Sequence, residues 1–223
     1  MVERALLLSL LLAFAPLLAT RAVGDERADQ ALIVAAGAGD LPEVERLIAS
    51  GADVAARDGR RRTALLAATH GNHTGVAKAL IAAGADVNAK DDIQDSPYLY
   101  AGAAGHLEIL KLTLANGADL KSINRYGGTA LIPACERGHV ETVKVLIEAG
   151  VDVNHVNRLG WTGLLEAIIL SEGGSRHVEI VRLLIAAKAD VNLADKDGVR
   201  PLAHARQRRH RETERLLVAE GAR

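Results

Sequence analysis

A fixed internal period constrains this chain more than any other feature. The triplet Gly51-Ala52-Asp53 returns as Gly84-Ala85-Asp86, Gly117-Ala118-Asp119 and Gly150-Val151-Asp152, at steps of 33 residues. Lys188-Ala189-Asp190 follows after 38 residues, and Gly221-Ala222 after another 33. A second series keeps step: Thr63-Ala64-Leu65, Ser96-Pro97-Tyr98, Thr129-Ala130-Leu131, Thr162-Gly163-Leu164 and Arg200-Pro201-Leu202. Asn72-His73, Gly105-His106 and Gly138-His139 form a third. Three markers in one register mean one supersecondary unit stacked many times.

Each marker has a physical task. A Thr or Ser hydroxyl can cap the free N–H groups at a helix start, and Pro suits the first helical position. About nine residues on, Asn72, Gly105 and Gly138 supply the left-handed residue that ends a short first helix. A second helix follows, with apolar residues at helical spacing in Val140, Val143, Val145, Leu146 and Ile147. Gly150 and its equivalents end that helix, and segments such as Asn124-Arg125-Tyr126-Gly127-Gly128 read as turns reaching to the next unit.

The chain resembles the ankyrin repeat family over residues 29–223, most closely at Thr129-Ala130-Leu131-Ile132-Pro133-Ala134-Cys135-Glu136-Arg137-Gly138-His139-Val140. From Asp95 to Ile169 it is also similar to exported bacterial proteins of that family. The resemblance implies an all-α solenoid of about six helix-turn-helix repeats joined by turn or β-hairpin-like fingers. The expected units are an N-terminal cap at 25–57, repeats at 58–90, 91–123 and 124–156, one with a five-residue insertion at 157–194, and a C-terminal cap at 195–223.

Departures from the family pattern have consequences. The usual first-helix His is replaced by Leu66, Leu99, Ile132, Leu165 and Ala203, which favours apolar packing. Pro133 removes the first hydrogen bond of its helix. Lys188 stands where Gly is expected, at a cost of about 1 kcal/mol if its backbone is left-handed. In the last helix Arg211, Glu212, Thr213 and Glu214 replace apolar residues, so the basic run from Arg206 to Arg211 reads as the solvated face of a cap. The Gly-Gly loop at 171–176 reads as mobile, a tolerated insertion or a second contact site.

Ahead of the repeats, Arg4 precedes an apolar run from Ala5 to Leu18, interrupted by Ser9 and Pro16. The run is shorter than the roughly 20 residues a bilayer requires, but fits a signal peptide. Thr20 with Ala22, or Ala22 with Gly24, could supply the small residues of a cleavage site. Glu3 and Arg21 depart from the ideal pattern. The expectation is a cleaved signal over residues 1–22, export to a bacterial periplasm, and no membrane insertion afterwards. An uncleaved inner-membrane anchor is the alternative.

Composition narrows the function. A formal net charge of −1 gives no electrostatic case for nucleic acid. Cys135 is the only cysteine, so no internal disulfide can form, and it reads as a small buried residue. His73, His106, His139, His177 and His210 share one repeat position and read as structural. His70, His155 and His204 lie in three different repeats without ligand spacing. No phosphate loop or Gly-x-Ser-x-Gly nucleophile motif occurs. Neither metal, cofactor nor enzymatic activity is expected. Asn72-His73-Thr74 matches a glycosylation acceptor, but Asn72 already has a structural task.

The family resemblance implies a binding groove built from the turn tips and the exposed sides of the first helices. Its variable positions fall here on Arg60, Arg62 and His70; Asp92, Ile93, Asp95 and Tyr100; Arg125, Tyr126, Glu136 and Arg137; Arg158, Leu159, Trp161 and Glu166. Aromatics are only 2% of the chain, so three of them on one face suggests an interface, since Trp, Tyr and Arg dominate binding hot spots. The competing reading is that these rings stiffen the stack. The expected function is a non-catalytic, monomeric module that binds a protein partner. The alternative is an inhibitor or immunity-type protein that covers an enzyme's active site.

Overall fold

The computed structural model describes residues 23–223, with side chains from residue 26. The expected signal segment, 1–22, lies outside the described residues. Among the described residues the elements are six antiparallel helix pairs without a strand. They are α1 (Val23–Ala38) with α2 (Leu41–Ala49), α3 (Ala64–His70) with α4 (Thr74–Ala82), and α5 (Pro97–Ala104) with α6 (Leu107–Ala115). Then follow α7 (Leu131–Glu136) with α8 (Val140–Glu148), α9 (Gly163–Ile169) with α10 (Ser175–Ala186), and α11 (Pro201–Gln207) with α12 (Arg211–Ala219). First helices contact first helices and second helices contact second helices along the stack, giving two layers.

Hydroxyl caps start three of the first helices. Thr63, Ser96 and Thr162 accept hydrogen bonds from the N–H groups of Leu66, Leu99 and Leu165, each at 3.2 Å. Thr129 does not cap, contrary to the sequence expectation. In the other repeats the residue four beyond the cap donates its N–H to the cap carbonyl, as Ala67 does to Thr63 and Glu166 to Thr162, both at 3.0 Å. Pro133 occupies that place and has no N–H. The helix therefore begins only at Leu131, and the buried Thr129 hydroxyl has no partner.

The helix ends follow the expected chemistry. Asn72 and Lys188 are left-handed, at φ 55° and 67°, and Lys188 bears the strain that Gly avoids at this position. Leu66, Leu99, Ile132 and Leu165 are buried, but Ala203 is exposed. The core otherwise consists of small and branched aliphatic side chains with Tyr98 buried among them. Close approach in the first layer demands small residues. A Cβ on Gly102 would lie 2.7 Å from that of Ala130, and one on Gly163 would lie 3.0 Å from the sulfur of Cys135. Burial pushes the Cys135 thiol far up, so it packs as a small apolar group.

Neighbouring repeats are stitched by the periodic polar residues. Asn88 Oδ1 accepts from the N–H of Asp119 at 2.9 Å, and Asn154 Oδ1 from that of Asp190 at 2.8 Å. His73, His106 and His177 donate ring N–H groups to the carbonyls of Gly37, Thr69 and Glu136 in the preceding repeat. His139 and His210 instead pack against Gly105 and Gly173.

The insertion at 171–176 is exposed at Glu172, Gly174, Ser175 and Arg176. It is tied to the stack at Ser171, which is buried and donates to the Ala167 carbonyl at 2.6 Å, and at Gly173, which lies against the His210 ring. Its last residues begin α10, which at 12 residues exceeds the nine of α8. In the C-terminal cap, Thr213 is buried rather than solvated. Arg206 pairs with Glu214 at 2.8 Å and Arg182 with Glu212 at 2.7 Å, which fits a solvated charged face beside it.

Candidate functional site

Between successive helix pairs the chain makes a five-residue finger, each built on an Asp or Asn. Asn157 Oδ1 accepts from the N–H groups of Leu159 and Trp161, and its own N–H bonds the Trp161 carbonyl. Asp58, Asp91, Asn124 and Asp195 build the same turn. The short side chain supplies the hydrogen bonds that a tight turn leaves open. Fingers also join edge to edge: Asp92 donates its N–H to the Arg60 carbonyl, and Arg158 its N–H to the Tyr126 carbonyl.

The finger tips expose Arg60, Asp92, Ile93, Arg125, Tyr126, Arg158 and Leu159. Several expected groove side chains are held by the fold itself. Arg62 pairs with Asp58 at 2.8 Å. Arg137 donates to the Ala103 carbonyl and Arg158 to that of Arg125, each at 2.8 Å. Half-buried Tyr100 packs tilted against His70, with ring centroids 4.2 Å apart and planes at 51°, and meets the edge of His106 at 5.9 Å. Trp161 is likewise half-buried at the base of its finger. Tyr126 is different: 56% exposed, with the Arg125 guanidinium 4.8 Å above its ring. Burial, with Arg62 adding to it, lowers the His70 imidazole, and burial raises the Asp95 carboxyl.

One stretch of groove deepens into a cleft of about 290 Å³, between the fourth and fifth helix pairs. Asn124, Arg125 and Tyr126 of one finger and Asn157 and Leu159 of the next line it, with Ile132, Pro133, Glu136, Arg137, Glu166 and Leu170 from the helices and their ends. Tyr126, Leu159 and Leu170 are three of the eight large hydrophobic side chains exposed among the described residues, and they share this cleft.

Glu166, expected on the open face, is only 6% exposed and lies in the wall of this cleft. Its Oε1 accepts from the Asn157 amide at 2.8 Å. Burial, with Glu136 nearby, pushes its carboxyl up to about 7, against the lowering effects of Asn157 and Arg137. The sequence mapping missed Asn157 and Leu170. A signal for Asn157 existed: His204 bonds Asp195 at 2.8 Å at the same nine-residue separation, so finger Asx and first-helix side chain are neighbours by register.

Among the described residues no group of three or more His, Cys, Asp or Glu is placed to hold a metal. Nor is any helix there long and apolar enough to cross a membrane.

Comparison with known proteins gives the architecture its family. No curated protein matches the chain. Among solved structures, an ankyrin repeat domain from Acinetobacter baumannii is 60% identical, with a TM-score of 0.84 over 86% of this chain and 98% of that one. The ankyrin repeat protein EF0377 is 41% identical, with a TM-score of 0.82 over 85% of this chain and 97% of its own. The family model "Ankyrin repeats (3 copies)" matches residues 6–91 and 98–195. Two layers of capped helix pairs, Asx-built fingers and these matches agree: the chain belongs to the ankyrin repeat family, whose repeats are in general protein–protein interaction modules.

Proposed function

We propose that this protein is a non-catalytic, monomeric binding module of an exported compartment, the bacterial periplasm, and that it holds a protein partner along its finger-lined groove. The cleft carries the binding half of this proposal. It gathers exposed Tyr126, Leu159 and Leu170 beside charged groups, the mix of aromatic anchor and polar rim found at interfaces. The export half rests on Arg4 and the apolar run that follows it.

The test uses protein recovered from the exported fraction. Its intact mass is read first, and a chain still starting at Met1 sinks the cleaved-signal half. Partners are then captured with the natural protein and with two variants. Tyr126→Ala leaves the melting temperature nearly unchanged, because an exposed ring adds little to the core, yet weakens capture by about 2 kcal/mol or more. Leu146→Ala, at a fully buried position, loses about 2–5 kcal/mol of stability while its folded fraction still binds. Equal destabilisation by both would make Tyr126 a structural ring and remove the groove's anchor.

A further inference from the structure

The charges of the cleft deepen the binding proposal and rest on it. Both of its cations are drawn to the preceding repeat: Arg125 is tied to Asp95 at 3.4 Å and covers Tyr126, and Arg137 is bonded to the Ala103 carbonyl. Its two acids lack such ties. Glu166 gives one oxygen to the Asn157 amide, and among the described residues no hydrogen bond reaches its Oε2. Glu136 is half-buried and, like Glu166, has no ion pair among the described residues. The two carboxyls are close enough for Glu136 to raise Glu166.

Apart from Asn124, Asn157 and the two arginines, the walls around these acids are apolar: Ile132, Pro133, Leu159, Leu170 and the Tyr126 ring. Apolar walls with unpaired acids inside fit a long alkyl stem that ends in a cation. The stem covers the apolar walls, and the cation gains the carboxylates and a neighbouring aromatic ring. A neutral or acidic side chain would offer Glu166 no counter-charge, so closing the cleft would cost it its ionised form, whereas a cation keeps that form. We propose that this cleft receives a basic side chain, arginine or lysine, projected by an exposed segment of the protein partner.

Selection of a displayed random-peptide library on the immobilised full chain tests this. Selected peptides are then titrated against the natural protein, Glu166→Gln, Glu136→Gln and Tyr126→Ala. Glutamine at position 166 still accepts from Asn157, so the wall of the cleft is kept, and a thermal melt of each variant verifies folding. The expected result is enrichment of peptides that share an arginine or lysine. Replacing that residue by citrulline or norleucine weakens binding at least tenfold, and Glu166→Gln does the same. Peptides that depend on Tyr126 but carry no required basic residue overturn this inference and leave the groove reading standing. So do basic peptides indifferent to Glu166. If no selected peptide responds to any of the three substitutions, the inference and the groove reading fall together.

Discussion

Glu166 is a group that the fold holds at a disadvantage in neutral solution. Its carboxyl is raised to about 7 by burial and by Glu136, whereas an unfolded chain would hold it near 4.3. The folded state therefore binds the proton more tightly. The resulting stabilisation is complete below the unfolded value and is lost as pH rises towards 7 and beyond. Glu166→Gln removes this loss while keeping the Asn157 hydrogen bond. Above pH 8 the variant should be more stable by about 1–3 kcal/mol, and the difference should shrink towards pH 4 in urea titrations. A variant equally or less stable at pH 8 would refute the buried-acid account. The register placed Glu166 in the groove but did not reveal its burial. That depends on Asn157, nine residues earlier in the preceding finger, and on cleft neighbours that include Leu170 and the previous repeat's Pro133. Tyr126 and Leu159 were legible because finger tips project wherever the period puts them, and Tyr100 was misleading because its ring packs against His70.

At the scale of the element, helix α7 tests how caps set helix length. It has six residues, whereas α3 and α9, capped by Thr63 and Thr162, have seven. The missing Pro133 N–H accounts for the loss of capping, and it leaves the Thr129 hydroxyl buried without a partner. Two isosteric substitutions then differ in effect. Thr162→Val removes a hydrogen-bonded cap and should cost about 1 kcal/mol. Thr129→Val removes a buried, unsatisfied hydroxyl and should be neutral or stabilising. Denaturation midpoints of the two variants give the comparison, and an equal loss at both positions would show that Thr129 is capping after all. The helices themselves were readable because Thr, Gly or Asn, and Gly recur at fixed offsets. Irregularities were harder to read. The sequence revealed five extra residues near 171–176 but not that part of them would extend α10, because Ser175, Arg176 and His177 suit a helix start as well as a loop.

At the scale of the whole molecule, the hydrogen bonds between repeats among the described residues reach one repeat and no further. Lys90 donates to the Ile123 carbonyl, Asn88 to that of Gly117, and His155 lies 2.7 Å from that of Gly127. Stability in such a stack is close to a sum of units and nearest-neighbour interfaces, so the period itself can be tested. Removing residues 124–156, one full step, joins Ile123 to Asn157, which can build the finger that Asn124 built before. Gly163 then takes the place of Ala130 opposite Gly102, and two glycines meet where the natural chain already packs tightly. The shortened chain should keep helical circular dichroism and cooperative unfolding at a lower urea midpoint. Removing only residues 124–139 is the harsher change although fewer residues are lost. It deletes a finger and α7 but leaves α8, whose Val143 and Leu146 pack against the core, without the first-layer helix of its own pair. That chain should lose helical signal and cooperativity. A half-step deletion as stable as the full-step one would mean that the period does not govern the stack. The full-step variant also lacks the Tyr126 and Glu136 side of the cleft, so it should fold without binding the basic peptides.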